Sequence, residues 1–191
     1  NYPQTLVEKI QGYRELYAEL ASFCDDLGMQ VYITGDVLSV MSGDNRSDRL
    51  LRHVAPYFYE AALQNLTALL PNLGGIILRI GECDGKDVGG DFHSRLIIKK
   101  ASHAKAFLQN LLPAFEHFGK RLIFRTWTVG AYPIGDLIWN KRTYDRVFND
   151  IQSDALVISM KYGESDFFRY LPFNKLLYRG PHTKLLELQS R

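Results

Sequence analysis

Short apolar runs alternate with longer stretches whose apolar residues recur every three or four positions. Leu6, Ile10, Tyr13, Leu16, Tyr17, Leu20 and Phe23 keep that helical spacing, with charges between them, and predict a helix over 4–24 that Gly28 stops. Met29 to Thr34 is a short β-branched strand closed by Gly35 and Asp36. A polar loop follows over Ser42–Asp48. The next helix is predicted over 56–70, with Pro56 suited to a first turn and Pro71 ending it. Gly74-Gly-Ile-Ile-Leu-Arg-Ile-Gly-Glu82 is then an almost wholly apolar run that ends in an acid, as in a parallel strand covered on both faces. A helix reaching Phe118, capped by Ser102 and kinked by Pro113, leads to a strand over 121–128. A short helix around 144–149 precedes a strand over 155–161, and a weakly alternating strand over 184–189 comes last.

Strands starting near residues 30, 75, 121, 155 and 184, joined by helices or long loops, predict an α/β fold with parallel strands and crossover helices. No GxGxxG follows an early strand and no GxxxxGK[ST] is present, which argues against the two common nucleotide-binding folds. A (β/α)8 TIM-type barrel fits better. Such barrels take roughly 250 residues. The 191 residues are therefore expected to form a single catalytic domain that is most of a barrel rather than a complete one, and a segment of a longer protein.

Composition narrows the function classes. Lys and Arg number 23 against 21 Asp and Glu, with no basic run, so neither nucleic acid nor an anionic membrane finds an electrostatic partner. No apolar run approaches the length of about eighteen residues that a membrane span needs. Two cysteines 59 positions apart, Cys24 and Cys83, form neither a disulfide framework nor a CxxC metal site.

Chemistry is expected at the strand ends, because a barrel builds its site at the C-terminal edge of its sheet. Asp36, Glu82, Arg125, Trp127, Lys161, Asp166 and Glu187 all fall there. Two carboxylates can share acid and base work on a glycosidic bond, an aromatic face packs on a sugar ring, and Arg and Lys hold a carboxylate. An arginine inside an apolar strand needs an anion. For Arg125 a structural salt bridge and a substrate acid are equally good candidates. A metal-dependent hydrolase using His93, His182 and Asp166 is the competing chemistry, although HxH and HExxH are absent, and neither a metal nor a cofactor is expected. A carbohydrate-binding barrel without hydrolysis is the third reading.

Two stretches resemble the catalytic barrel of the α-glucuronidases of glycoside hydrolase family 67. Leu73 to Glu82 is similar to that family's GGxxxKxxxE strand, with Leu78 in place of its lysine, and Leu122-Ile-Phe-Arg-Thr-Trp127 to its MWRxFVY strand. Ser159 to Phe167 is similar to VKNGPIDF, and Leu186-Glu-Leu-Gln189 to the EFQ strand. Over about residues 73–191 the resemblance implies an inverting hydrolase acting on a uronic-acid oligosaccharide or polysaccharide. Glu82 would be the general acid and Asp166 the base, with Arg125, Lys161 and Glu187 around the sugar; Trp127 and Asp36 join the substrate-binding set by their strand-end positions.

Overall fold

The computed structural model describes residues 3–70, 72–81, 92–128, 132–163 and 172–188. The strands are β1 (Val31–Asp36), β2 (Ser39–Met41), β3 (Leu73–Arg79), β4 (Phe92–Ser94), β5 (Arg121–Arg125), β6 (Leu156–Lys161) and β7 (Thr183–Glu187); the α-helices are α1 (Gln4–Asp26), α2 (Asp48–Leu69), α3 (Ala101–His117) and α4 (Lys141–Phe148). Five strands form one parallel sheet in the order β1-β3-β5-β6-β7, and β2 with β4 makes a small antiparallel ribbon. This is the expected α/β class, with strands added in chain order as in a barrel wall. Among the described residues the sheet stays open, with β1 at one edge and β7 at the other.

Strand periodicity creates two faces. Ile76, Leu78 and Ile80 of the third segment, Leu122 and Phe124 of β5, and Leu156, Ile158 and Met160 of β6 pack into one apolar core with α2, α3 and α4. Phe115, Leu108 and Leu111 of α3 and Tyr144, Val147 and Phe148 of α4 are almost fully buried in it. Each such side chain contributes about 1.5–3 kcal/mol of burial, so this layer is the main source of stability. Between β6 and β7 the described residues include only a 3-10 turn at Lys175–Tyr178, and Leu185 and Leu186 of β7 remain exposed. No helix among the described residues is long and apolar enough to cross a membrane.

Several boundaries differ from the sequence reading. The second helix begins at Asp48, eight residues before Pro56: Ser47 caps it by accepting a hydrogen bond from Leu50 N, and Pro56 is buried inside it. One missing N–H is tolerated where the surrounding turns are packed. α3 starts at Ala101 with Lys100 as its cap and no side-chain capping bond, so Ser102 does not serve, and it continues through Pro113 unbroken. The β2–β4 ribbon was not predicted, because strands this short leave little periodicity. The strand predicted over 121–128 ends at Arg125, and the helix predicted around 144–149 begins at Lys141 under an Asn140 cap. Gly28, at φ +67°, ends α1 where only a residue tolerant of that backbone fits.

Gly75 leaves no room for a side chain against the neighbouring strand. A Cβ built there would sit 1.9 Å from the Arg121 carbonyl oxygen on the neighbouring strand. Backbone cannot yield as a side-chain tip can. Gly75→Ala is expected to destabilise the protein by about 3 kcal/mol in urea unfolding; a loss under about 0.5 kcal/mol would contradict the tight β3–β5 register.

Candidate functional site

Residues that alternate with the buried set point to the face away from the helices. In register across the sheet, that face carries Asp36, Arg79, Arg125 and Ser159 near the C-terminal ends of β1, β3, β5 and β6. Two residues further on, Lys161 pairs in register with Glu187. The lower rungs of the same face, Ile77, Ile123 and Val157, are apolar. A polar row therefore sits on an apolar floor at the sheet edge where barrels carry chemistry.

Arg125 and Glu187 form a fork-to-fork pair, Nε to Oε1 at 2.8 Å and Nη2 to Oε2 at 2.7 Å. Ser159 Oγ donates a further hydrogen bond to Glu187 Oε1 at 2.5 Å. Burial raises the Glu187 pKa, but the hydrogen bonds from Arg125 and Ser159, with the charges of Arg125 and Lys161, outweigh it and hold the carboxyl below its usual value. Glu187 is thus an ionised acceptor at neutral pH and not a proton donor. Of the two readings of Arg125, the structure supplies the internal ion pair.

Lys161 Nζ lies over the Trp127 ring, 4.3 Å from its centroid. That face of the indole carries an ammonium group, so it is not the bare sugar platform expected from sequence. On the other side, Arg79 Nε lies 2.8 Å from Asp36 Oδ1. Asp36 thereby belongs to an ion pair at the end of β1. Tyr59 of α2 donates to the carbonyls of Asp36 and Val37, tying the strand end to the helix layer. Thr128 Oγ1 donates to the Gly81 carbonyl at 2.6 Å, linking the ends of the β3 and β5 segments.

The structure so brings together Arg125, Lys161, Trp127 and Glu187, with Asp36 further along the row. Glu82 and Asp166, expected as the acid and the base, lie outside the described residues. Arg79 and Ser159 were missed. A lone serine in an apolar strand two places before Lys161 was the available signal for Ser159; Arg79 became visible only through its register with Arg125.

The metal reading loses its geometry. His93 lies on β4, beyond the C-terminal end of β3, whereas His182 directly precedes β7 at the opposite edge of the sheet and hydrogen-bonds the Ile151 carbonyl. Among the described residues, no three His, Cys, Asp or Glu side chains come together as a ligand set. Two clefts are also present. One of about 690 Å³ lies beside the end of β1, between Asp36, Met41, Phe58, Tyr59 and Phe92. Another of about 590 Å³ lies on the outer surface between α2 and α3, remote from the strand ends.

No protein-family model matches the chain. No curated protein matches it either. Among solved structures it is similar to one titled "Crystal structure of D-tagatose 3-epimerase-like protein", with 12% identity and a TM-score of 0.46, over 76% of this chain and 50% of that one. The chain spans about half the length of that structure. The resemblance to family 67 α-glucuronidases and, with it, the assignment as a glycoside hydrolase are therefore overturned: neither a model of that family nor any other matches the chain. The physical reason is that a Gly-Gly turn, an apolar run and a polar end describe many buried parallel strands, so those motifs carry little family information.

Glu187→Gln is expected to lower stability by about 2 kcal/mol at pH 7, because Arg125 then loses its ionised partner. The folded-state pKa of Glu187 is depressed, so this contribution is present above its unfolded value of 4.5 and is lost as pH falls through the lower folded value. Urea midpoints of the two proteins should converge on acidification; a gap that persists unchanged well below pH 4.5 would contradict the pairing.

Proposed function

We propose that the strand-end row is the substrate-recognition part of a carbohydrate-active enzyme, and that its ligand is an acidic sugar. The supporting observation is that three cations, Arg79, Arg125 and Lys161, stand in one row along a sheet edge, Arg79 and Arg125 each held by a carboxylate of that row. Arg79 and Arg125 occupy adjacent, in-register positions on neighbouring strands. Each guanidinium is held by an internal carboxylate, which fixes the two cations in place for recognition of an acidic ligand.

Roles follow from chemistry. Lys161, seated on Trp127, presents a point charge suited to a sugar carboxylate. Glu187, held ionised, accepts hydrogen bonds from sugar hydroxyls. Ser159 and Arg125 position it from below. The solved epimerase-like protein is in keeping with sugar chemistry but carries no weight in this reading.

Titration calorimetry with glucuronate, galacturonate, glucose and xylose tests the reading. The acidic sugars should bind about tenfold or more tightly than the neutral ones, and Lys161→Met should abolish that preference while leaving neutral-sugar affinity within about twofold. Equal affinity for acidic and neutral sugars, or an acid preference unchanged in Lys161→Met, would refute it.

A further inference from the structure

The outer cleft between α2 and α3, of about 590 Å³, is basic: Arg49, Arg52, His53, Ser102 and His103 line it, and no Asp or Glu of the described residues does. Helix geometry gathers these groups. Arg49, Arg52 and His53 are three and four residues apart in the first turns of α2, so they share one face. Ser102 and His103 open α3, which packs beside α2 in the common core through Leu51, Ala55, Phe107 and Leu108. Leu50, half exposed, adds an apolar wall to the same cleft.

The nearby negative charge is already used. Asp48 accepts from Arg95 Nε at 3.0 Å through Oδ1 and from Lys99 Nζ at 2.8 Å through Oδ2. Arg52 donates instead to the Ile97 carbonyl, Nη1 to O at 2.9 Å, which orients the guanidinium without neutralising it. Among the described residues no carboxylate pairs with Arg49 or Arg52. The His103 imidazole stands in the same field: burial, then the positive charges of Arg52, Lys100 and Lys99, hold it below its usual pKa against the opposing charge of Asp48. The Lys99 N–H donates to His103 Nδ1 at 3.4 Å, which leaves Nε2 as the donor of the neutral ring.

Two guanidinium charges with no acid among them match a dianion better than a single carboxylate, and forked N–H donors suit the oxygens of a tetrahedral one. We propose that this cleft binds a phosphate group, with Arg52 and Arg49 holding its oxygens and Ser102 and His103 donating beside them. The volume suits a small molecule, so the phosphate is either free or the end of a monoester whose organic part lies on Leu50. This site shares no residue with the strand-end row and does not depend on the acidic sugar proposed there.

An NMR titration of the full chain tests this, with inorganic phosphate and phenyl phosphate as ligands in about 0.1 M salt, where loose surface attraction is screened beyond ~10 Å. The ring signals of His53 and His103 should shift saturably with a Kd of about 1 mM or below, while His182, just before β7, stays unmoved. Arg52→Gln should weaken binding about tenfold and Arg49→Gln about threefold, and Lys161→Met should leave it unchanged. Tighter binding of phenyl phosphate assigns a monoester to the cleft and equal binding assigns free phosphate; both support the site. No saturable shift up to about 20 mM, or an equal shift at His182, overturns the proposal. So does affinity unchanged in both arginine variants, and a loss in Lys161→Met overturns it by placing the phosphate at the strand ends. If Arg52→Gln does not fold for want of its bond to Ile97, the exposed Arg49 decides: undiminished affinity in Arg49→Gln then counts against the site.

Discussion

The packing of alternate strand residues onto the helix layer is the constraint from which the rest of the structure follows. A strand has a side-chain period of two, so burying Leu78, Phe124 and Ile158 against α2, α3 and α4 commits Arg79, Arg125 and Ser159 to the opposite face. A register slip of one residue would drive both guanidinium groups into the apolar core. The cost of burying a charge thus enforces the same register that the apolar residues favour. Gly75, with the Arg121 backbone pressed against it, holds that register at the N-terminal end of the same pair of strands.

On the other face, the electrostatics are arranged from the outside inward. Carboxylates sit on the two edge strands, Asp36 on β1 and Glu187 on β7, and the arginines they hold sit on β3 and β5 between them. Each pair is partly buried, where an ion pair is worth more than in open water and is costly to break. Glu187 is the better anchored acid, since it meets Arg125 through both oxygens and Ser159 through one. Lys161 uses an aromatic face to offset its charge instead of a carboxylate alone. Among the described residues the result is a row of internally paired charges on an apolar floor, the setting in which we propose acidic-sugar recognition.

Much of the sheet was legible in the sequence, because its strands are long apolar runs punctuated by Gly and polar ends. All five strand starts emerged from that pattern, and α1 and its Gly28 stop from the three-and-four spacing. The start of α2 was misread because Pro56 is a louder local signal than the Ser47 cap, yet a packed helix absorbs one missing hydrogen bond. At the site, Arg125, Trp127, Lys161, Glu187 and Asp36 were found by their position at strand ends. Their partners were not. Register across strands pairs Arg125 with a residue 62 positions away, and no local pattern encodes that distance. The family resemblance failed for a related reason, as its motifs reflect the shared physics of buried strands more than shared descent.

In the proposed reading the strand ends recognise an acidic sugar through Lys161, seated on Trp127, and Glu187, positioned by Arg125. Its most direct test is an NMR titration with glucuronate, following the indole N–H of Trp127 and the side-chain signals of Lys161 and Arg125, with the half-exposed Trp139 of the β5–α4 connection as the comparison indole. The account expects saturable shifts at Trp127, Lys161 and Arg125 and none at Trp139. Shifts confined to the outer cleft between α2 and α3, or an unmoved Trp127 signal at saturating sugar, would contradict it.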